Sequence, residues 1–261
     1  MPERKARPVR RLELLAVPGL PDFAPGDDLA MAIVHAMHAE GMAFQAGDVV
    51  AVAQKVVSKC EGAYVDLATV EPGQRAIEIA EVTGKDPRLI EVILSDTSEV
   101  LRARPGLIII ANHAGQVMAN AGIDQSNIEG LDGRRVLKLP TDPDASARML
   151  RQRFRELAGV DVGVVINDSW GRAWRNGTLG HAVGAAGFAA LWDRRGEADM
   201  YGRMLKVTEI GLADEIAAAA SLLMGAAAER QPVVIVRGLE LPPGDGGAKA
   251  LVRDRERDLF R

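Results

Sequence analysis

"VGVVINDSWGRAWRNG", Val162–Gly177, carries the reading on which the fold turns. Val162–Ile166 are apolar and mostly β-branched, which reads as a buried strand. The next eleven residues change character at once. They hold one carboxylate, one hydroxyl, two arginines, two glycines and two of the three tryptophans in the chain. A folding core does not need that mixture. A strand that runs straight into it is the pattern of a mixed α and β chain presenting a ligand site at a strand end, with Asp168 just past the strand.

Outward from this stretch, helices and strands continue to alternate. Toward the N-terminus, Asp142-Pro143 starts a helix running to about Leu157, in the orientation proline favours. "LIIIA", Leu107–Ala111, is a buried strand, and helices are expected around Gln74–Val82 and Pro87–Leu94. "DVVAVAQKVV", Asp48–Val57, reads as one strand, β-branched and mostly apolar. Asp27 caps a helix through about Glu40, with Leu29, Ile33, Val34 and Met37 on one face. "LELLAV", Leu12–Val17, is a strand that ends at Pro18-Gly19. Toward the C-terminus, "LADEIAAAASLLMG", Leu212–Gly225, is an alanine-rich buried helix, and "PVVIVRG", Pro232–Gly238, is a last strand before a glycine-rich, then charged tail. There is no repeat and no long linker.

Composition bounds the function. With 261 residues, 48% of them apolar, the chain builds one large domain or two small lobes around a sizeable core. Residues 1–11 read as a flexible basic tail and 12–261 as a single domain. A net charge of −4 gives no basic field for nucleic acid. No run approaches the roughly 18 apolar residues of a membrane span, and no apolar signal core follows the basic start. The one cysteine, Cys60, has no internal disulfide partner, which fits a reducing cytoplasm.

Several familiar sites are absent. There is no P-loop and no H-E-x-x-H. "GHAVGAAG", Gly180–Gly187, lacks the dinucleotide spacing and reads as close strand packing. The histidines, His35, His38, His113 and His181, are scattered, and a helix surface accounts for the first two.

Three short segments stand out instead. In "AQKVVSKCEG", Ala53–Gly62, Lys55 and Lys59 share a face of an extended strand. Two ammonium groups there suit a polyphosphate, or they blunt an edge strand. In "ANAGIDQSN", Ala119–Asn127, Asp124 lies among small residues with Ser126 and Asn127 behind it. That is an oxygen-only set for a hard cation, or a polar turn. In the opening stretch, Asp168 and Ser169 form a plausible metal pair when phosphates supply other oxygens, and Arg172 and Arg175 suit carboxylates or phosphate. Its alternative is a capped turn with tryptophans over the core.

Together these segments resemble one family. "GDVVAVAQKVVSKCEG", "ANAGIDQSN", "NDSWGRAWRNGTLGHAVG", "DMYGRMLKVTEIGLADEIAAAASLLMG" and "PVVIVRG", in that order, look like the coenzyme F420:L-glutamate ligases. The resemblance runs from about Leu12 to Phe260. The chain looks like the stand-alone ligase, without the added C-terminal flavin-binding reductase domain of some members. The resemblance implies an α+β fold with mixed and antiparallel sheets and packed helices, a homodimer, and addition of L-glutamate to a deazaflavin coenzyme precursor. It implies GTP as co-substrate and magnesium or manganese in one or two sites, and it admits a monovalent cation.

Carried over by motif, Leu20, Pro21, Asp22 and Phe23 match the family's nucleotide-binding loop, and Gln54, Lys55 and Lys59 its phosphate-side contacts. Asp124 and Asp168 match two ligands of one metal, Asn127 a nucleotide contact, and Ser169 a hydroxyl ligand for a second metal. Met224, Gly225, Ala226, Ala227, Ala228, Glu229, Arg230 and Gln231 cover a further nucleotide-binding segment. That segment departs from the pattern, because the family often has an acidic or amide side chain where Ala226 stands. Glu229, three residues on, can substitute only if the helix continues.

In this reading Lys55, Lys59, Arg172 and Arg175 are the catalytic cations, and the tryptophans wall the cleft or stack on the flat deazaflavin. The expected route is an acyl phosphate made with GTP and opened by the glutamate amine. Two rivals remain: a nucleotide- and metal-dependent acid–amine ligase with another acceptor, and a non-catalytic nucleotide-binding homologue.

Overall fold

A computed structural model describes residues 9–126 and 134–258. The chain begins with β1 (Glu13–Ala16), α1 (Leu29–Ala39), β2 (Val49–Ala53), α2 (Gln54–Cys60) and β3 (Tyr64–Asp66). Then come α3 (Gln74–Thr83), α4 (Pro87–Ser95), β4 (Thr97–Arg104), β5 (Leu107–Asn112), β6 (Val117–Ala119) and β7 (Arg135–Leu137). The second half holds α5 (Pro143–Ala158), β8 (Gly163–Arg172), β9 (Arg175–Ala186), β10 (Trp192–Asp193), β11 (Glu209–Ile210), α6 (Leu212–Met224) and β12 (Val233–Arg237).

The main sheet has five strands in the order β1-β12-β2-β8-β9. Only β2 and β8 are parallel, and every other neighbour is antiparallel. α1 and α5 cover one face over Val50, Val52, Val164 and Ile166, and α6 covers the other over Val49, Ala51 and Val165. Both faces of β2 and of the first half of β8 are therefore apolar, which explains their continuous β-branched runs. A second core lies under α3 and α4 against the β4-β5-β6 sheet, and Trp170 packs against this core and against the α1–α5 side of the main one. The fold is α+β, with mixed and antiparallel sheets. Among the described residues, no helix is long and apolar enough to cross a membrane.

Local chemistry sets most helix ends. Asp142 caps α5 by accepting the Ala145 amide at 2.9 Å, with Pro143 in the first turn, and Gly159 ends the helix at φ +69°. The cap of α1 is Asp28, not the expected Asp27. Asp28 accepts the Met31 amide at 3.0 Å, while Asp27 closes the preceding turn on the Ala24 amide. His35 and His38 are exposed on α1, as a helix surface requires. "GHAVGAAG" is close packing: a Cβ on Gly180 would collide with the Ala217 carbonyl of α6, and one on Gly184 with the Pro143 carbonyl of α5.

Two expectations need correction. The segment Asp48–Val57 is not one strand. β2 stops at Ala53 and α2 begins at Gln54. A short apolar run fits either period, and here Val56 and Val57 pack under a helix as readily as they would on a strand. Lys55 and Lys59 still share a face, now because they are four apart on a helix. Nor does β8 end at Ile166. It runs on to Arg172 and folds back into β9, so Asp168 is inside a hairpin. Residues through Asn167 are buried under the flanking helices, and beyond it burial alternates. The change of composition at Asn167 marks where the strand leaves its helical cover, not where it ends.

Candidate functional site

β1, β2 and β8 all point the same way, and β12 runs against them. At one end of the sheet the C-terminal ends of three strands therefore meet the start of β12. Val17 N–H donates to the Val233 carbonyl and Ala53 N–H to the Pro232 carbonyl, both within 2.9 Å, while Ala53 faces Asn167 across the parallel pair. Four segments far apart in sequence converge there and enclose a cavity of about 790 Å³. They are Leu20, Pro21, Asp22 and Phe23 after β1; Gln54, Lys55, Val56 and Lys59 of α2; Asn167, Asp168 and Ser169 of β8; and the run from Met224 to Pro232 that links α6 to β12. A cavity of that size takes a nucleotide-sized ligand.

Asp124 reaches this end of the sheet from the other core. It follows a turn in which Asn120, Ala121 and Gly122 all have positive φ, +53°, +54° and +66°. Two non-glycine residues in that region cost free energy, and such strain commonly sits where a functional side chain is presented. The backbone of Asp124 is pinned by a two-way bridge to Leu137, each amide donating to the other carbonyl at 2.9 Å. Its carboxylate is held on both oxygens. Gln54 Nε2 donates to Oδ2 at 2.6 Å, and Lys55 Nζ lies 3.2 Å from Oδ1. Lys55 also donates to Ser126 Oγ at 3.0 Å.

Asp168 shares this environment. Burial pushes its carboxyl up to about 6, and the nearby charge of Asp124 adds to the rise. The Ser169 amide, 2.8 Å from Oδ1, and Lys55 pull the other way. Burial also raises Asp124, against the pull of Lys55 and Gln54. Two crowded carboxylates that resist ionisation are an arrangement that a cation relieves. Among the described residues no three His, Cys, Asp or Glu side chains gather into a metal-binding group. The donor set is thus two carboxylates, with Ser126 linked to Asp124 through Lys55 and Ser169 next after Asp168 on β8. It fits a hard cation whose remaining ligands are phosphate oxygens and water. Cys60 is half-buried, and burial, with Asp27 and Glu61, pushes its thiol up to about 12, so it is no thiolate ligand at neutral pH.

The other expected site residues fall in distinct places. Ala226, Ala227, Ala228, Arg230 and Gln231 line the cavity with Met224, Gly225 and Glu229. α6 ends at Met224, however, so the continued helix that would have aimed Glu229 is not there. The Glu229 carboxylate instead folds over Gly225 and accepts the Ala227 amide at 2.8 Å. Glu229→Ala is accordingly expected to loosen this loop. If a nucleotide fills the cavity, its KM should rise roughly three- to tenfold, as for a lost charge-assisted hydrogen bond. If turnover depends on a metal, the concentration giving half-maximal turnover should stay put; a titration of the variant that shifts it would make Glu229 a ligand after all. Arg172 and Arg175 face each other across the tip of the β8–β9 hairpin and do not line the cavity. Trp170 stacks on His181, with ring centroids 4.5 Å apart, and Trp174 is exposed at the tip. Asn127 lies outside the described residues.

Sequence reasoning passed over Asn167, Ser221 and Pro232, which also line the cavity. Asn167 is 5% exposed, and its Oδ1 is buried with no hydrogen-bond partner, as is Oε1 of Gln231. The available signal was an amide inside a strand that is otherwise apolar up to that point.

A family model described as F420-0:gamma-glutamyl ligase matches residues 19–238. The chain is 45% identical over 254 residues to the coenzyme F420:L-glutamate ligase of Methanothermobacter thermautotrophicus, covering 96% of this chain and 99% of that one. It is 49% identical over 241 residues to the protein of the same name from Methanopyrus kandleri, covering 91% and 92%. The corresponding protein of Methanocaldococcus jannaschii is 40% identical over 252 residues, 97% of this chain and 98% of that one.

Proposed function

Because the chain belongs to the F420-0:gamma-glutamyl ligase family, we propose that it joins L-glutamate to the deazaflavin coenzyme precursor, using GTP and a divalent cation. The observation that carries the reading is the convergence of four cavity-lining segments beside the Asp124–Asp168 pair.

A carboxylate is a poor electrophile in water, so amide formation needs a leaving group. The γ-phosphoryl group passes to the precursor carboxylate, the bond to GDP breaks, and an acyl phosphate forms. The glutamate α-amine attacks the acyl carbon, the bond to phosphate breaks, and amide, phosphate and a proton result. Lys55 and Lys59, on the cavity face of α2, supply ammonium donors to phosphate oxygens. Asp124 and Asp168 would hold the cation, which when bound offsets phosphate charge. The choice of GTP over ATP rests on the family resemblance. Arg172 and Arg175 lie away from this cavity, where they suit the anionic groups of the acceptor substrates. A homodimer is part of the proposal, supported by the exposed Trp174, Met200, Tyr201 and Val207.

The deciding assay combines glutamate and unglutamylated precursor with GTP or ATP, and with Mg2+ or Mn2+, and reads product by mass. The expected product is precursor plus glutamate, with GDP released only when both substrates are present, and with GTP preferred. Glutamylation supported equally by ATP would remove the nucleotide assignment. GTP turnover independent of precursor would remove the acceptor.

A further inference from the structure

α2 has two working faces. Lys55, Lys59 and Gln54 line the cavity, but Gln54 and Ser58, also four apart, are buried at 1% and 0% exposure. Ser58 Oγ donates to Gln54 Oε1 at 3.0 Å, and Gln54 Nε2 donates to Asp124 Oδ2 at 2.6 Å. The carboxylate accepts only, so it fixes which end of the amide it meets. The other end, Oε1, then needs a donor, and Ser58 provides it. Both polar ends of the buried Gln54 side chain are thereby engaged within the protein.

We propose that Ser58 and Gln54 form a buried relay that orients Asp124 for its cation, which makes Ser58 a positioning residue of the site. The relay rests on the cation reading given above and extends it. Gln54 holds Oδ2 and so sets the plane of the carboxylate. Oδ1, beside Lys55, is left as the oxygen that exchanges partners. Without the Ser58 hydroxyl, Oε1 is buried with no donor, and the amide has no reason to keep Nε2 on Asp124. Partners that orient a ligating carboxylate typically change metal affinity ten- to a hundredfold when removed.

The test titrates Mn2+ against the full chain, alone and with GDP, and reads the free ion by electron paramagnetic resonance. A wild-type protein that binds Mn2+ in neither condition overturns the cation reading, and the relay with it. Given wild-type binding, Ser58→Ala should weaken Mn2+ roughly ten- to a hundredfold. Gln54→Leu should do at least as much, and it decides the matter if Ser58→Ala does not fold. Val57→Ala, a buried change on the same helix, should lower the melting temperature and leave Mn2+ affinity within about twofold. Unchanged affinity in the relay variants, or an equal loss in Val57→Ala, overturns the relay alone.

Discussion

Asp168→Asn is expected to abolish ligation and, at the same time, to raise the melting temperature of the metal-free protein at neutral pH. The two effects have one cause. Burial and the charge of Asp124 lift the Asp168 carboxyl from an ordinary value of 3.8 to about 6. The folded chain therefore binds more protons than the unfolded chain between those values. Stability contributed by the protonated group is present below about pH 4 and is lost as pH rises through 6. At pH 7 the ionised side chain is a liability, about 1–2 kcal/mol once solvent screening is allowed for. The amide removes that liability, and a gain of this size corresponds to roughly 2–6 °C in a chain of this length. It also removes a carboxylate that the proposed cation needs, so turnover should fall a hundredfold or more and added Mn2+ should no longer stabilise the variant. Thermal melts in chelator from pH 4 to 7, repeated with Mn2+, read both effects. A variant that melts lower than wild type at pH 7, or that keeps normal turnover at low metal concentration, contradicts the assignment. Asp124→Asn should lose activity similarly.

Lys55→Ala should be nearly as damaging to turnover and far gentler on folding. Lys55 bridges Asp124 and Ser126 at the cavity wall, and both ion-pair partners keep about a quarter of their side-chain surface, 28% and 23%. A pair that wet contributes no more than about 1 kcal/mol to stability. In the proposed reaction the same ammonium is a phosphate partner, and it is a neighbour of both carboxylates. Its loss should lower kcat/KM by about two to three orders of magnitude, equivalent to roughly 3–4 kcal/mol of transition-state stabilisation. Lys59 has no such link to the carboxylates, and Lys59→Ala should act mainly on the GTP KM, by about tenfold. Steady-state kinetics beside thermal melts separate the cases. A large drop in melting temperature for Lys55→Ala, with kcat/KM intact, would make it a structural lysine.

What could be read from the chain was what is written locally. Asp142-Pro143 and Asp86-Pro87 announce helix starts because a capping carboxylate and a fixed φ act within one turn. The apolar runs of β5, β8 and β12 announce burial. The order β1-β12-β2-β8-β9 was not legible, because it depends on pairings between residues as far apart as Ala16 and Val234. Nor was the helical turn at Gln54, where the same apolar letters serve two periods. The site was legible as motifs and not as a place. That Leu20–Phe23 and Met224–Gln231 are neighbours follows from β12 lying between β1 and β2, a fact of topology. Ser58 carried no signal at all, since a serine in a helix gives no hint that its hydroxyl is spent on Gln54.

α2 follows β2 with no intervening loop, Ala53 ending the strand and Gln54 opening the helix. Its rotation about its own axis is consequently inherited from the strand register. One residue inserted at that junction would turn the helix by about 100°, and one deleted would turn it as far the other way. Either change would swing the lysines off the cavity and pull Gln54 off Asp124 together. Single substitutions at Lys55, Ser58 or Lys59 alter the contacts of one side chain each, but a change of chain length at this junction alters all of them together. Over evolutionary time this junction should hold its length, while insertions collect elsewhere, as on the exposed turns of the β10–β11 arm.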